Sequence, residues 1–406
     1  MWPFVMLACY CAIPIFGPTE KNAWDELRHV FYVREFTTGE VYEHDAALDN
    51  PPYSTWARFY YDDQFYEVVI AKLDTFLELG VDEVERQPAV RRAILLRDLW
   101  PVFDAQIHTR LPFDGENSRY REASDAAKTR QIELRKRVAK VMRRLELSEQ
   151  EVQELPDNLL AAAASAKIPV AFDIASAENG FIPADLFDET GPWVAIGQGK
   201  KTPGASSHAG RGARSVFVPY IRVSANRQDS LDFLTKYRKA PLSPPPGTLL
   251  ALARRMTLPV SSGRIVATPV LESLQLAVVA PPKDYRFKFV LDRADLVAGR
   301  PGLRMLSGTD PVDAFGFESS GLHLMKPKYD SDGEMLVLGI TAGQPAVTSL
   351  GHCAACHGTT VGARLFANGN GADFLIAPTT WNEQAQLIIS LQEKNETWQA
   401  YRNLHK

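Results

Sequence analysis

A chain of 406 residues is long enough for two or three domains, and 45% hydrophobic content is enough to bury a sizeable core. A formal charge of −4 sets up no global field, so composition points to neither a nucleic acid nor a membrane surface as partner. The four cysteines, Cys9, Cys11, Cys353 and Cys356, leave the body of the chain without a disulfide framework.

The first charged residue is Glu20. The apolar run before it has the length of a secretory leader and is short for a membrane span, so residues 1–19 are expected to be a signal or leader segment. It lacks the basic start usual for such leaders. Leu7-Ala8-Cys9 is a weak match to a lipoprotein cleavage site, with Met6 poorly suited to the position three before the cysteine. The competing reading is a buried amino-terminal strand. No integral membrane span is expected beyond a leader or lipid anchor.

Residues 20–170 are expected to form a mainly helical domain. Residues 22–66 are dense in aromatic side chains, among them Trp24, Phe31, Tyr32, Trp56 and Tyr66, and are broken by Pro51-Pro52. They predict irregular structure packed on a helical core. Phe65, Val68, Val69, Leu73, Phe76 and Leu77 then recur at helical spacing. Ala93, Leu96, Leu99, Trp100 and Phe103 form a second stripe, which Pro101 is expected to interrupt. A long third helix is predicted over 119–147, on Ile132, Leu134, Val138, Val141 and Leu145. Its cations Arg130, Arg135, Lys136, Arg137, Lys140, Arg143 and Arg144 read as a solvated face, and otherwise as a docking surface for an acidic redox partner. Ser148 and Glu151 make a capping box for the next short helix, and Pro156-Asp157-Asn158 opens another.

Residues 171–345 are expected to be β-rich. Residues 176–213 read as loop; Gly197-Gln198-Gly199-Lys200-Lys201 lacks the spacing of a phosphate loop. Strands are predicted at 216–223, 264–268, 274–279, 286–291 and 335–341, with a helical insert at 230–237. Pro241 to Gly247 forms a stiff connector that either separates subdomains or is spanned by strand pairing.

Residues 346–406 carry the most specific signal, Gly351-His352-Cys353-Ala354-Ala355-Cys356-His357-Gly358. Positions i, i+3 and i+4 share one helical face, so two thiols and an imidazole are presented together. Cys-x-x-Cys-His is the attachment signature of a c-type haem. A four-ligand zinc site using His352 as well, or a redox dithiol of Cys353 and Cys356, also uses these residue types. Zinc is disfavoured by four ligands crowded into six consecutive residues. The dithiol lacks the buried strand that a thioredoxin-like motif follows.

On these residues the chain resembles the c-type cytochromes, over about ten positions and weakly over the helix that follows. The resemblance implies thioether bonds from Cys353 and Cys356, His357 as proximal iron ligand, one covalent haem c, and export to the periplasm or cell envelope. It also implies electron transfer to a redox partner protein, so the chain is expected to be an electron carrier rather than a catalyst, with the enzyme question left open. The sixth iron position is unassigned: no Met follows Met335, and residues 358–380 hold neither Met nor His. Met325 is the foremost upstream candidate, beside His323 and Met335. An open site or a ligand from a partner are the alternatives. An open site makes a haem enzyme or gas sensor, with His208, Arg211 or Arg214 as distal donors. A third reading is a cell-envelope binding protein with a haem appendage. A helix over 381–404 can pack on the haem edge. The expected class is α+β, with a helical front, a β-rich middle and a small, mainly helical haem region.

Overall fold

Ser124, Ser148 and Asp157 each open a helix, because their side-chain oxygens accept from N–H groups that a first turn leaves without partners. The Ser148–Glu151 capping box forms as its sequence spacing predicts. The computed structural model describes residues 22–35, 41–43, 63–105, 110–111, 121–122, 124–165, 167–198, 214–239, 242–281, 285–306, 328–329, 335–336 and 376–404. Among them the helices are α1 (Ala23–Tyr32), α2 (Asp63–Glu78), α3 (Val81–Glu85), α4 (Ala89–Ala105), α5 (Asp125–Leu145), α6 (Glu149–Gln153), α7 (Asn158–Ala164), α8 (Arg227–Lys239), α9 (Arg293–Val297), α10 (Trp381–Gln392) and α11 (Glu396–Asn403).

Four helical expectations change. The long helix expected over 119–147 begins at Asp125, because Ser124 caps it and Arg121–Glu122 pair as a strand. Part of the aromatic front is regular: Asn22 Oδ1 accepts from Trp24 N and Asp25 N, both at 3.1 Å, and α1 follows. Trp24 then meets Phe76 of α2 edge-on at 5.0 Å. Pro101 lies inside α4 without ending it, because Leu96, Leu99, Trp100 and Phe103 are buried on both sides of the lost hydrogen bond. The carboxyl-terminal helix is two helices, because Asn395 caps a fresh start by accepting from Thr397 N at 3.2 Å.

Seven strands form one antiparallel sheet in the order β10-β9-β8-β7-β6-β5-β13. They are β5 (Val194–Gln198), β6 (Ser215–Arg222), β7 (Leu249–Pro259), β8 (Ile265–Val278), β9 (Tyr285–Leu291), β10 (Leu303–Met305) and β13 (Ile376–Thr379). Short antiparallel pairs join β1 (Val33–Glu35) to β2 (Val41–Glu43), β3 (Arg110–Leu111) to β4 (Arg121–Glu122), and β11 (Lys328–Tyr329) to β12 (Met335–Leu336). The strands predicted at 264–268 and 274–279 are one strand, β8, whose pairing with β7 shifts register around Arg254, Arg255 and Thr257. β5 and the central β7 were not expected. β7 enters the sheet directly after the proline-rich connector and pairs with both β6 and β8, so the connector does not divide the sheet.

Side chains alternate between the two sheet faces. One face carries Val216, Val218, Tyr220, Ala251, Ala253, Leu274, Leu276, Phe287 and Phe289. It packs on Leu159 and Ala162 of α7, on Phe181, Ile182 and Leu186, and on Ala385 and Ile388 of α10. The opposite face carries Ser215, Phe217, Ile221, Leu250, Leu252, Arg254, Ser273, Lys288 and Val290. At one end of it Phe233 and Leu234 of α8 pack on Val194, Ile196, Ile221 and Leu250. At the other end the helical front meets the sheet: side chains of α1, α2, α4 and α5 share a core with Met256, Leu258, Val260, Ile265, Leu291, Trp398 and Tyr401. The change of element type near residue 170 therefore runs through a shared core. The chain is a mixed α and β protein with one antiparallel sheet, which is the α+β class expected. No helix among the described residues is long and apolar enough to cross a membrane.

Candidate functional site

Cys353, Cys356, His357, His352, Met325, His323, His208 and Arg211 lie outside the described residues. Met335 opens β12, paired with Tyr329 of β11. What the structure fixes is the frame on either side of the Cys353–His357 motif. The chain leaves the sheet after β10 at one edge and re-enters as β13 at the other. β13 is held by pairs from Ile376–Gln198 to Thr379–Ala195. Thr380 then caps α10 with a second capping box, accepting from Glu383 N at 3.1 Å. α11 is locked by its aromatic side chains: Trp398 meets Trp100 at 6.0 Å and Tyr401 meets Phe103 edge-on at 5.3 Å.

The densest electrostatic feature among the described residues is a buried ionic centre where α4 meets the sheet. Glu272 of β8 is fully buried. Arg97 Nε lies 2.9 Å from its Oε1 and Arg254 Nε 3.1 Å from its Oε2. Ser215 Oγ donates a short hydrogen bond to the same carboxylate and accepts from Arg254 Nε at 3.0 Å and Arg97 at 3.2 Å. The guanidinium of Arg254 also lies over the Phe217 ring at 4.9 Å. One residue along α4, Asp98 takes Arg293 at 3.2 Å and Arg28 at 3.4 Å, and its carbonyl accepts from Tyr32 Oη at 2.6 Å. Arg214, considered above as a distal haem donor, binds Asp104 of the same helix at 2.8 Å. Burial pushes the Arg97 guanidinium down to about 10, with Glu272 opposing the shift, so it stays charged at neutral pH. The centre ties α4 to the sheet through Glu272, and to α1 and α9 through Asp98.

The signal for this centre is present in the sequence. Arg97-Asp98 interrupts the apolar stripe of α4, Arg254-Arg255 interrupts the alternation of β7, and Glu272 sits between Leu271 and Leu274 in a buried strand. Arg255 faces the other side of the sheet, with its guanidinium 3.6 Å from the centre of the Phe187 ring and 3.0 Å from Asp157.

Two further groups bear on function. On α5, Arg130 pairs with Asp63 at 2.5 Å, Arg137 with Asp74 at 2.9 Å and Glu133 at 2.6 Å, and Arg144 donates to Leu79 O at 2.8 Å. Those cations are spent within the fold, and Lys136 and Lys140 stand exposed one turn apart. At the end of α5, burial raises the Glu146 carboxyl to about 7, although Tyr401 Oη donates to it at 2.7 Å. No group of three or more metal-ligating side chains is present among the described residues. Comparison with family models, with curated proteins and with solved structures finds no match.

Proposed function

We propose that the chain is an exported monohaem c-type cytochrome that carries electrons. The observation that carries this reading is the donor set Cys353-Ala354-Ala355-Cys356-His357. Two thiols and an imidazole at i, i+3 and i+4 are the residue types that hold one porphyrin covalently and ligate its iron from one side. The two alanines between the thiols leave room for a flat ring near the backbone. Bound haem supplies a one-electron couple. The chain's own residues set its axial ligands, its exposure and the walls around it. In this reading residues 346–406 include a small cytochrome-like haem region, Met325 is a candidate sixth ligand, and a redox partner protein receives or delivers the electron. Export follows from the apolar residues 1–19 and from the attachment of c-type haem outside the inner membrane.

The deciding experiment is a pyridine haemochrome spectrum with peptide mass spectrometry, on protein made with a c-type maturation system. One haem c is expected on the peptide containing Cys353 and Cys356, and a peptide free of tetrapyrrole, or one holding zinc, removes the reading. The lack of Met and His over 358–380 favours a second reading, an open sixth position that serves a haem enzyme or gas sensor. Rapid carbon monoxide binding by the reduced protein selects that reading. Slow or absent binding selects a sixth ligand from the chain.

A further inference from the structure

Three turns meet at one end of the sheet around a cleft of about 230 Å³. β6 ends at Arg222, and the turn after it is set by Ser224, whose Oγ accepts from Asn226 N at 2.9 Å. The turn into β7 runs through Gly247, whose N donates to Val279 O at 2.7 Å. Gly247 holds φ +88, and a Cβ added there would meet nothing within 4 Å, so the turn leaves the cleft open on this side. The third turn is tied by Ile182 N, which donates to Pro169 O at 2.8 Å and sets Phe172 edge-on to Phe181 at 5.8 Å.

The walls are apolar and one cation faces them. Val170, Phe172, Phe181, Val223 and Leu249 line the cleft. Phe172 and Phe181 rest on Phe287 of β9 at 6.1 and 6.0 Å, so the sheet backs this wall and holds it rigid. Val170 is 53% exposed and Phe172 is half-buried, so the wall keeps apolar surface that a ligand would cover. Arg222 is the one charged residue of the lining, and it pairs across the strands with Leu249. Its Nε donates to Ser224 O at 3.2 Å. Its Nη1 lies 3.7 Å from Asp185 Oδ2, beyond hydrogen-bond distance, and the other oxygen of Asp185 accepts from Trp193 Nε1 at 3.0 Å. The guanidinium therefore keeps terminal N–H donors, in the planar fork that matches a carboxylate. Apolar walls with a single convergent charge are the usual make-up of a small-molecule site. The volume is below the roughly 300–1,000 Å³ of sites for drug-sized ligands, which limits the ligand to a small one.

We propose that this cleft binds a small organic carboxylate with an apolar body. The carboxylate sits on the free end of the Arg222 fork, and the body lies against Phe172, Phe181 and Leu249. With no acidic side chain in the lining, an anion meets no opposing charge there, and a neutral or cationic ligand of the same shape loses the interaction with Arg222. The site is built from residues 170–249 and is independent of the haem reading.

The test is fluorine NMR of the full chain, titrated with 3-(4-fluorophenyl)propionate and, separately, with its neutral amide. The acid is expected to bind about tenfold or more tightly than the amide, the usual worth of a hydrogen bond to a charged group. Arg222→Gln is expected to weaken the acid by the same factor and to leave the amide unchanged. Arg222→Lys keeps the charge without the fork and is expected to fall between parent and Gln variant, which serves if the Gln variant does not fold. Ala171 and Ala225 are exposed residues of the lining, so a tryptophan at either position narrows the cleft at little cost to the fold. Ala171→Trp and Ala225→Trp are each expected to weaken both probes about tenfold or more, while far-ultraviolet circular dichroism stays that of the parent. Equal affinity for acid and amide, or equal affinity of the parent and the Arg222 variants for the acid, overturns the proposal. So does binding that both tryptophan variants leave intact, which would place the probe elsewhere, and so does no binding by the parent at about 10 mM acid.

Discussion

Replacing Glu272 with alanine tests the claim that the ionic centre, and not apolar packing alone, fixes α4 on the sheet. Glu272 is fully buried and is the shared acceptor for Arg97, Arg254 and Ser215. Its removal leaves two guanidinium groups in the interior with part of their partnership gone. Breaking a buried pair by deleting one partner costs about 3–5 kcal/mol, because the remaining charge loses its compensation. That is a large share of the roughly 5–15 kcal/mol by which folded proteins exceed their unfolded chains. With a urea slope of about 3 kcal/mol/M, the unfolding midpoint falls by more than about 1 M. The same principle fixes the control. The triple replacement Arg97→Met, Arg254→Met and Glu272→Leu removes every charge of the Arg–Glu–Arg group and is expected to lie within about 1 kcal/mol of the parent or above it. Urea unfolding followed by tryptophan fluorescence and far-ultraviolet circular dichroism measures both. A loss below about 1 kcal/mol for Glu272→Ala, or a triple variant no better than the single one, refutes the reasoning.

Glu146 makes stability depend on pH in an unusual sense. Burial raises its carboxyl to about 7 from an ordinary value near 4.5, so the folded state holds the proton more tightly than the unfolded chain. Its favourable contribution is fully present below about 4.5 and is lost as pH rises through about 7. Glu146→Gln is expected to gain on the order of 2 kcal/mol at pH 8 and little at pH 4.5, and a pH-stability profile from urea midpoints that keeps its slope between 4.5 and 7 contradicts this. Trp398→Ala is expected to cost about 3–5 kcal/mol by opening a cavity beside Trp100 and Tyr401, read as a thermal or urea shift of the full chain. Gly302→Ala is expected to cost more than about 1 kcal/mol, because Gly302 holds φ +64 and an added Cβ would sit 2.7 Å from Leu296 Cβ and 3.0 Å from Asp292 O; unchanged stability in the same assay counts against it.

Local signals in the sequence report local structure well in this chain. The helix of α2, the Ser148–Glu151 box and the strand β9 all depend on neighbours within four residues, and each forms where its spacing places it, but the buried faces depart from those expected: Val68 of α2 is exposed while Tyr66 and Ile70 are buried, and Lys288 of β9 is buried with its apolar neighbours. β7 was illegible for a physical reason. Arg254 and Arg255 look like a solvent-exposed break in an apolar run, and only the fold supplies Glu272 and Ser215 for one and Asp157 and Phe187 for the other. A strand whose polar residues are satisfied by partners tens of residues away carries no short-range mark of being central. α4 was misread for the converse reason: the local cost of Pro101 is real, but burial of the side chains around it outweighs one hydrogen bond. The Cys353–His357 motif, two thiols and an imidazole within five residues, is a local pattern that spacing alone can show; it lies outside the described residues. A sixth ligand is a tertiary contact, and no spacing encodes it.

β13 by itself is a weak anchor for the return of a long connection. It is an edge strand of four residues with Pro378 inside it, and a slip of one position would turn its side chains to the wrong face. Its register is set from downstream. Gly197 of β5 lacks a Cβ where one would lie 2.9 Å from Gln384 Nε2, so α10 can approach the strand pair closely, and Gln384 in turn donates to Thr379 Oγ1 at 3.3 Å. Trp381 packs edge-on against Phe187 at 5.3 Å, and Ala385 and Ile388 follow it into the core. A slip in β13 would have to drag these side chains, and with them Trp398 and Tyr401, out of their packing. The point at which the chain re-enters the sheet at β13 is thus fixed by the burial of two helices, which a four-residue edge strand could not achieve with its own hydrogen bonds.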